Sequence, residues 1–237
     1  MIRYLSLAQR VPEISGIESN AVSRFYSLLS QLPLMRSPHR RFVAGALGLG
    51  VTQGDFLDLG TGPGSVALAI AQHCPALRMV GLDLSAPMLK LAAHQASRLE
   101  LDDRGLWPQA DGHCLPFARG SFDLVVSSFA LHHWLDPVQI LNEIARVLAP
   151  GGRYYIADVC REANLFQRLF AWGSIPFVSL PLGSYLGYGG YYESLRAGYT
   201  FAEARELLEQ SALPAGRVEV DLANWIPTLM IASDGPA

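Results

Sequence analysis

The run Phe56-Leu57-Asp58-Leu59-Gly60-Thr61-Gly62-Pro63-Gly64 constrains this chain more than any other stretch. An apolar segment ends in a glycine-rich turn, and Ser65 to Ala71 then reads as a helix. Glycine accepts positive φ and lets backbone approach a ligand where a Cβ would collide. A helix starting there aims free N–H groups into the crevice at the carboxyl edge of a sheet. The dinucleotide fingerprint needs glycines as G-x-G-x-x-G. Here the third position is Ser65, and Gly64 stands one place early. Asp58 lies at the strand's end, ahead of the glycines. A pyrophosphate gains nothing from a carboxylate at that place, whereas a cationic ligand does. The remaining reading is a strand-to-helix turn that holds no ligand.

Half of the 237 residues are hydrophobic and only 16% are charged, so the chain can build the core of one domain, with apolar surface left to place. A net charge of −3 leaves no basic excess to neutralise phosphates, which argues against a nucleic-acid partner. Cys74, Cys114 and Cys160 are widely spaced and odd in number. That usage fits reduced thiols in a cytoplasmic protein and offers no metal-ligand spacing. Residues from Met1 onward lead into polar sequence with no uninterrupted apolar signal region.

Residues 1–52 read as a helical N-terminal cap. An apolar stripe at helical spacing runs through Val22, Phe25, Tyr26, Leu28 and Leu29, and Pro33 ends it. Ser37-Pro38 predicts the start of a second helix towards Gly48 and Gly50. Arg36, His39, Arg40 and Arg41 form a basic cluster, either a solvated helix face or a contact for an anionic group. From Asp55 strands and helices alternate. Strands are expected to end at Leu59 and at Asp83, with Ser85 capping the helix that follows. Gly105 to Ala110 makes a poor strand because of Pro108, and it leads to Asp111. Phe122 to Ser128 is a buried strand, Asp136-Pro137 caps a helix through Leu148, and Arg153 to Val159 is the next strand. Such alternation implies a parallel sheet covered on both faces. Thr200-Phe201-Ala202-Glu203 reads as a capping box opening a helix to about Gln210, and Arg217 to Leu222 and Thr228 to Ala232 as a closing antiparallel pair.

Four motifs in order carry a family resemblance. Asp58-x-Gly60-x-Gly62-x-Gly64 is similar to motif I of the class I S-adenosylmethionine (SAM) methyltransferases. Asp83, just over twenty residues on, stands where an acidic residue accepts hydrogen bonds from ribose hydroxyls. Asp111-Gly112 with Leu115-Pro116-Phe117, Phe122 to His133, and Val147 to Gly152 resemble the later motifs. The resemblance covers roughly residues 50–160, and within the family it is nearest to the ubiquinone- and menaquinone-type group. It implies an α/β fold, a Rossmann-like seven-stranded mostly parallel sheet with an antiparallel last strand, a helical N-terminal cap and an inserted lid. The implied division is a cap over 1–52, a SAM-binding core over 53–160, a lid over 161–199 and a completion of the core over 200–237. The implied activity is methyl transfer from SAM, leaving S-adenosyl-L-homocysteine. Carried over position by position, Asp58, Gly60, Thr61, Gly62 and Gly64 hold the amino-acid end of SAM. Asp83 takes the ribose, with Leu84 and Met88 packing near ribose and adenine or simply filling core. Asp111 and Gly112 read the adenine edge, and Ser128 and Phe129 border the methionine portion.

A general base is needed only where the acceptor must lose a proton. His132 and His133 follow the fourth strand, and His132 matches the position used as a base in the phosphoethanolamine methyltransferases that the chain distantly resembles. The competing reading gives each histidine a loop-fastening hydrogen bond. His113 and Tyr26 are further candidates. Leu169 to Tyr192 carries no charge and is rich in aromatics, with prolines and glycines that break a membrane-spanning helix. As a lid it suggests a small hydrophobic or aromatic acceptor, with Tyr26, Arg196 and Tyr199 as substrate contacts. The alternatives for this stretch are a homodimer surface or shallow docking on a membrane. Two rival functions stay open: a catalytically silent SAM-binding partner subunit, and a dehydrogenase-like nucleotide protein, which Asp58 and the missing third glycine disfavour.

Overall fold

A computed structural model of the chain describes residue 10 and residues 33–170 and 190–234. The expected helix over Asn20–Gln31 with Tyr26, and residues 171–189 of the lid expected over 161–199, lie outside the described residues. Seven strands form one sheet: β1 (Gln53–Leu59), β2 (Ala76–Leu82), β3 (Gly105–Leu106), β4 (Phe122–Ser128), β5 (Leu148–Val159), β6 (Gly216–Asp221) and β7 (Thr228–Ser233). Their order is β3-β2-β1-β4-β5-β7-β6. The first five run parallel, and β7 runs antiparallel to both β5 and β6. The chain order reverses beside β1, so the crevice outside the carboxyl ends of β1 and β4 is the place where such sheets bind ligands.

Among the described residues six α-helices flank the strands: α1 (Pro33–Leu47), α2 (Ser65–His73), α3 (Ala86–Arg98), α4 (Pro137–Val147), α5 (Gly190–Ala197) and α6 (Phe201–Gln210). A further helical stretch covers 165–170. Alternate residues of each central strand feed two cores, because side chains of a strand point to opposite faces. Leu57, Val125, Tyr154 and Ile156 pack with Ile140, Leu141 and Ile144 of α4. Phe56, Leu124, Val126 and Tyr155 pack with Phe42 of α1 and Val66, Leu68 and Ile70 of α2. Each fully buried side chain of this size contributes about 1.5–3 kcal/mol.

The helix starts follow from their caps. Ser85 Oγ accepts the Met88 N–H, Asp136 Oδ1 accepts the Gln139 N–H, and Pro stands in the first turn of both helices. The capping box at α6 is complete, and its Glu203 also pairs with the buried Arg161 guanidinium just beyond β5. Two expectations are corrected. Helix α1 begins at Pro33 rather than at Ser37-Pro38, and Pro38 is carried inside it at the loss of one helical N–H donor. The fifth strand begins at Leu148, not Arg153, because Leu148 already pairs with Phe122 before an irregularity in the register absorbs Pro150-Gly151-Gly152. The third strand is only two residues long, with an isolated bridge from Asp83 to Gln109 continuing its line past Pro108. Among the described residues no helix is long and apolar enough to cross a membrane.

Candidate active site

The turn after β1 is stitched to the end of β2: the Gly60 and Thr61 N–H groups both donate to the Leu82 carbonyl, at 2.8 and 3.0 Å. Gly60, Gly62 and Gly64 all have positive φ, the conformation that only glycine adopts without strain. Around Gly62 the space a Cβ would fill is open, with no atom within 4 Å. At Gly64 the equivalent Cβ would meet Ala92 and the Trp107 indole at 3.0 Å. The same indole leaves no room for a Cβ on Gly81, so Trp107 lies against both glycines and supports the turn from below. Sequence reasoning passed over Trp107. The available signal was Gly81, a glycine inside an otherwise apolar strand, which marks close approach by another group.

Two carboxyl groups meet this turn. Asp58 is 1% exposed, and its Oδ2 accepts the Thr61 hydroxyl at 2.8 Å. Its Oδ1 is buried with no hydrogen-bond partner of ordinary geometry; the Ala67 N–H in the first turn of α2 only leans towards the group. Burial pushes the Asp58 carboxyl up to about 7; the negative charge of Asp83 adds to the rise, while the Thr61 hydroxyl opposes it. Asp83 follows β2. Its Oδ2 accepts the Gly62 N–H and its Oδ1 the Ser85 N–H, both at 2.8 Å, and burial still holds its carboxyl above the usual range. Each Asp83 oxygen keeps lone pairs for hydroxyl donors. These residues fit SAM. An unpartnered buried carboxylate oxygen invites an ammonium, and the open space over Gly62 admits ligand atoms against the backbone.

The other expected cofactor contacts fall into three situations. Asp111 is exposed, and its Oδ1 accepts both the N–H and the Nδ1–H of His113, at 2.9 and 2.6 Å, which lowers its pKa. Its backbone runs beside β2, where the neighbouring Ala110 N–H donates to the Asp83 carbonyl, and Gly112 packs against Leu59 and Ile140. Thus β1, β2 and the Asp111 segment adjoin, while the Asp111 carboxylate is engaged with His113. Leu84 is 64% exposed, so core packing does not account for it, whereas Met88 is buried. Ser128 buries an Oγ without a partner at the end of β4. Phe129 has φ 55°, rare for a bulky residue, and its N–H donates to the Ala157 carbonyl. This strained turn brings the Phe129 ring within 6.4 Å of the His39 ring, centroid to centroid.

The two histidines differ. His132 is 3% exposed and its backbone N–H donates to Asp158 Oδ2 at 2.5 Å, while Nδ1 lies 2.7 Å from Asp158 Oδ1. His133 is less buried, and its ring lies tilted against that of His132, with centroids 4.0 Å apart. Arg10 ties this turn to α5, donating to the His132 and Ala197 carbonyls, and stacks 4.2 Å over the Tyr199 ring. Tyr199 is buried beneath it, which pushes its hydroxyl pKa up. Arg196 points over the Tyr192 ring at 6.0 Å. His113 is bound at both nitrogens, donating to Asp111 and accepting the Asp136 N–H, a fastening rather than a base. Asp158 carried no sequence signal, since one acid ending an apolar strand is common.

A cavity of about 240 Å³ lies at the same carboxyl edge on the α1 face, bounded by Phe42, Phe129, Tyr155, Ala157 and Met230. Its rim carries the Arg41–Asp221 ion pair at 2.5 Å.

Residues 57–156 match the family model described as a methyltransferase domain. The demethylmenaquinone methyltransferase of Thermus thermophilus is 34% identical over 164 residues, 68% of this chain and 72% of that one. The ubiquinone/menaquinone biosynthesis C-methyltransferase UbiE of Syntrophotalea carbinolica is 30% identical over 209 residues, 86% and 87% of the two chains. Among solved structures, a putative SAM-dependent methyltransferase from Methanococcus maripaludis superposes with a TM-score of 0.67 at 20% identity, covering 96% of this chain and 98% of that one. Human N-acetylserotonin methyltransferase in complex with SAM gives 0.64 at 16% identity, over 92% and 57%.

Proposed function

The chain belongs to the class I SAM-dependent methyltransferases, in their ubiquinone/menaquinone group, and from that premise we propose that it methylates a small hydrophobic, aromatic acceptor of the quinol or phenol type. The observation that carries this reading is the cavity beside Phe129. It is walled by aromatic and aliphatic side chains at the sheet edge that holds the Asp58–Asp83 turn, and its volume suits one ring system. The backbone strain at Phe129 is the kind that persists where the surroundings over-determine a functional conformation. Leu165, Phe166 and Leu169, on the helical stretch at the start of the expected lid, are exposed apolar residues that add a greasy approach.

When bound, SAM supplies a methyl group already activated by its sulfonium. Asp58, as its carboxylate, and the turn over Gly60–Gly64 would hold its amino-acid end. Asp83 accepts from the ribose hydroxyls while keeping the Gly62 N–H, and the Asp111–Gly112 backbone and Leu84 border the adenine. The protein's work is orientation and exclusion of water, with His132 taking the proton of an acceptor that must lose one. The test is turnover against quinols, phenols and carboxylic acids, read as S-adenosyl-L-homocysteine formed. Methylation of an aromatic hydroxyl compound or its ring supports the proposal. Tight S-adenosyl-L-homocysteine binding with no acceptor turned over would make the chain a silent SAM-binding subunit instead.

A further inference from the structure

We propose that Trp107 is a positioning residue for the cofactor: its indole, laid over Gly81, walls water away from Asp58 and backs the Thr61 hydroxyl that bonds this acid. The inference rests on the reading of Asp58 as the acid that meets the cation of SAM. Asp58 stands in register with Gly81 of β2. Val80 stands in register with Leu106, so Trp107 follows beside Gly81 along the line of β3. Side chains in register on neighbouring parallel strands share a face. Here that is the face covered by α1 and α2, where Trp107 packs with Phe56, Met79 and Val126. Leu57 and Leu59, on either side of Asp58, belong to the opposite face. The row Trp107, Gly81, Asp58 has no side chain at its middle, and that place is filled from both sides. A Cβ on Gly81 would meet Trp107 Cε3 at 2.6 Å and Thr61 Oγ1 at 2.9 Å. The Thr61 hydroxyl in turn donates to Asp58 Oδ2 at 2.8 Å.

Asp58 Oδ1 is buried and lacks a hydrogen-bond partner. A carboxylate that water does not reach attracts a cation more strongly, because water is what screens the charge. Burial is also the largest cause of the raised Asp58 pKa. Asp83, after β2, adds to the rise, while the Thr61 hydroxyl and the Ala67 N–H of α2 oppose it. Support for the turn alone would ask only for the contact of the indole with Gly64. The contact over Gly81 is the one in register with the acid.

The test follows the Asp58 carboxyl carbon by NMR through a pH titration of the full chain, together with S-adenosyl-L-homocysteine binding by calorimetry. In Trp107→Ala the Asp58 midpoint is expected to fall from about 7 towards its ordinary 3.8, by at least about one unit. At pH 8, where the acid is ionised in both proteins, affinity should fall about tenfold. Trp107→Phe, which keeps a ring in the row, should lie between wild type and Trp107→Ala on both readouts. In an Asp58→Asn background, Trp107→Ala should change affinity by less than about threefold. A midpoint unmoved by Trp107→Ala, or an undiminished loss of affinity without the Asp58 carboxyl, overturns the proposal. An Asp58→Asn chain that binds S-adenosyl-L-homocysteine as tightly as wild type would instead overturn the reading of Asp58 beneath it. Should Trp107→Ala fail to fold, Trp107→Leu keeps apolar bulk in the core and carries the same comparison.

Discussion

The carboxyl edge of the sheet carries two acid-centred constructions that are built on opposite plans. Over β1 and β2, Asp58 and Asp83 hold the glycine turn, yet Asp58 keeps an oxygen buried without a partner and is pushed up to about 7. Over β4 and β5, Asp158 receives three N–H donors from His132 and Val159. The first plan leaves an acid that keeps its proton up to about pH 7 and a buried oxygen with no hydrogen-bond partner. The second is complete before anything binds. In the function proposed above, SAM would meet a buried acid with an oxygen to spare, whereas His132 and Asp158 are already bonded to each other.

The comparison can be broken most sharply at His132. His132→Ala is expected to lower turnover about 10²–10⁴-fold while S-adenosyl-L-homocysteine affinity in calorimetry changes less than about threefold. An equal loss of both would reduce the second construction to a fastening.

Asp58 gives the next largest effect. Between its ordinary value of 3.8 and about 7 the folded, ligand-free protein holds a proton that the unfolded chain has released. Stability therefore falls as pH rises through that window, by about 1.4 kcal/mol per unit and about 4 kcal/mol in all. Asp58→Asn should flatten that part of the urea-unfolding profile. The cation of SAM favours the ionised acid, so SAM binding should release a proton below pH 7 and weaken as pH falls, by at most about tenfold per unit. An affinity independent of pH between 6 and 8 would contradict the unsatisfied plan.

Trp107→Ala removes the support under Gly64 and Gly81. It should cost about 2–4 kcal/mol in unfolding and weaken SAM binding, leaving the His132–Asp158 contacts untouched. The smallest change is expected at the cavity rim. Arg41→Ala breaks an ion pair whose arginine side chain is 57% exposed, worth less than about 1 kcal/mol by thermal unfolding.

Much of the fold was legible because local signals agreed. Periodicity, the Ser85 and Asp136 caps, and the Thr200–Glu203 capping box all pointed to the elements that form. The Leu148 start of β5 was hidden because Pro150-Gly151-Gly152 looks like a turn, and only the neighbouring Phe122 keeps the strand going through it. At the site, the acids and glycines of the first construction stand in one short motif and its successor. The second could not be read in the same way. Asp158 meets His132 across 26 residues through the pairing of β4 with β5, and Trp107 meets Gly81 only once β2 and the chain after β3 lie side by side. Arg10 is more distant still, joining His132 across 122 positions.

Gly45 on α1 has a consequence of its own. The space its missing side chain would occupy is taken by the Tyr155 hydroxyl and ring, and Phe42 meets the same ring edge-on, with centroids 5.0 Å apart. Phe42 and Tyr155 also wall the cavity. One added methyl at position 45 would therefore displace the Tyr155 ring or α1, and either shift reshapes the cavity that Phe42 and Tyr155 wall. The room left for the proposed acceptor thus depends, in part, on a position of α1 that carries no side chain.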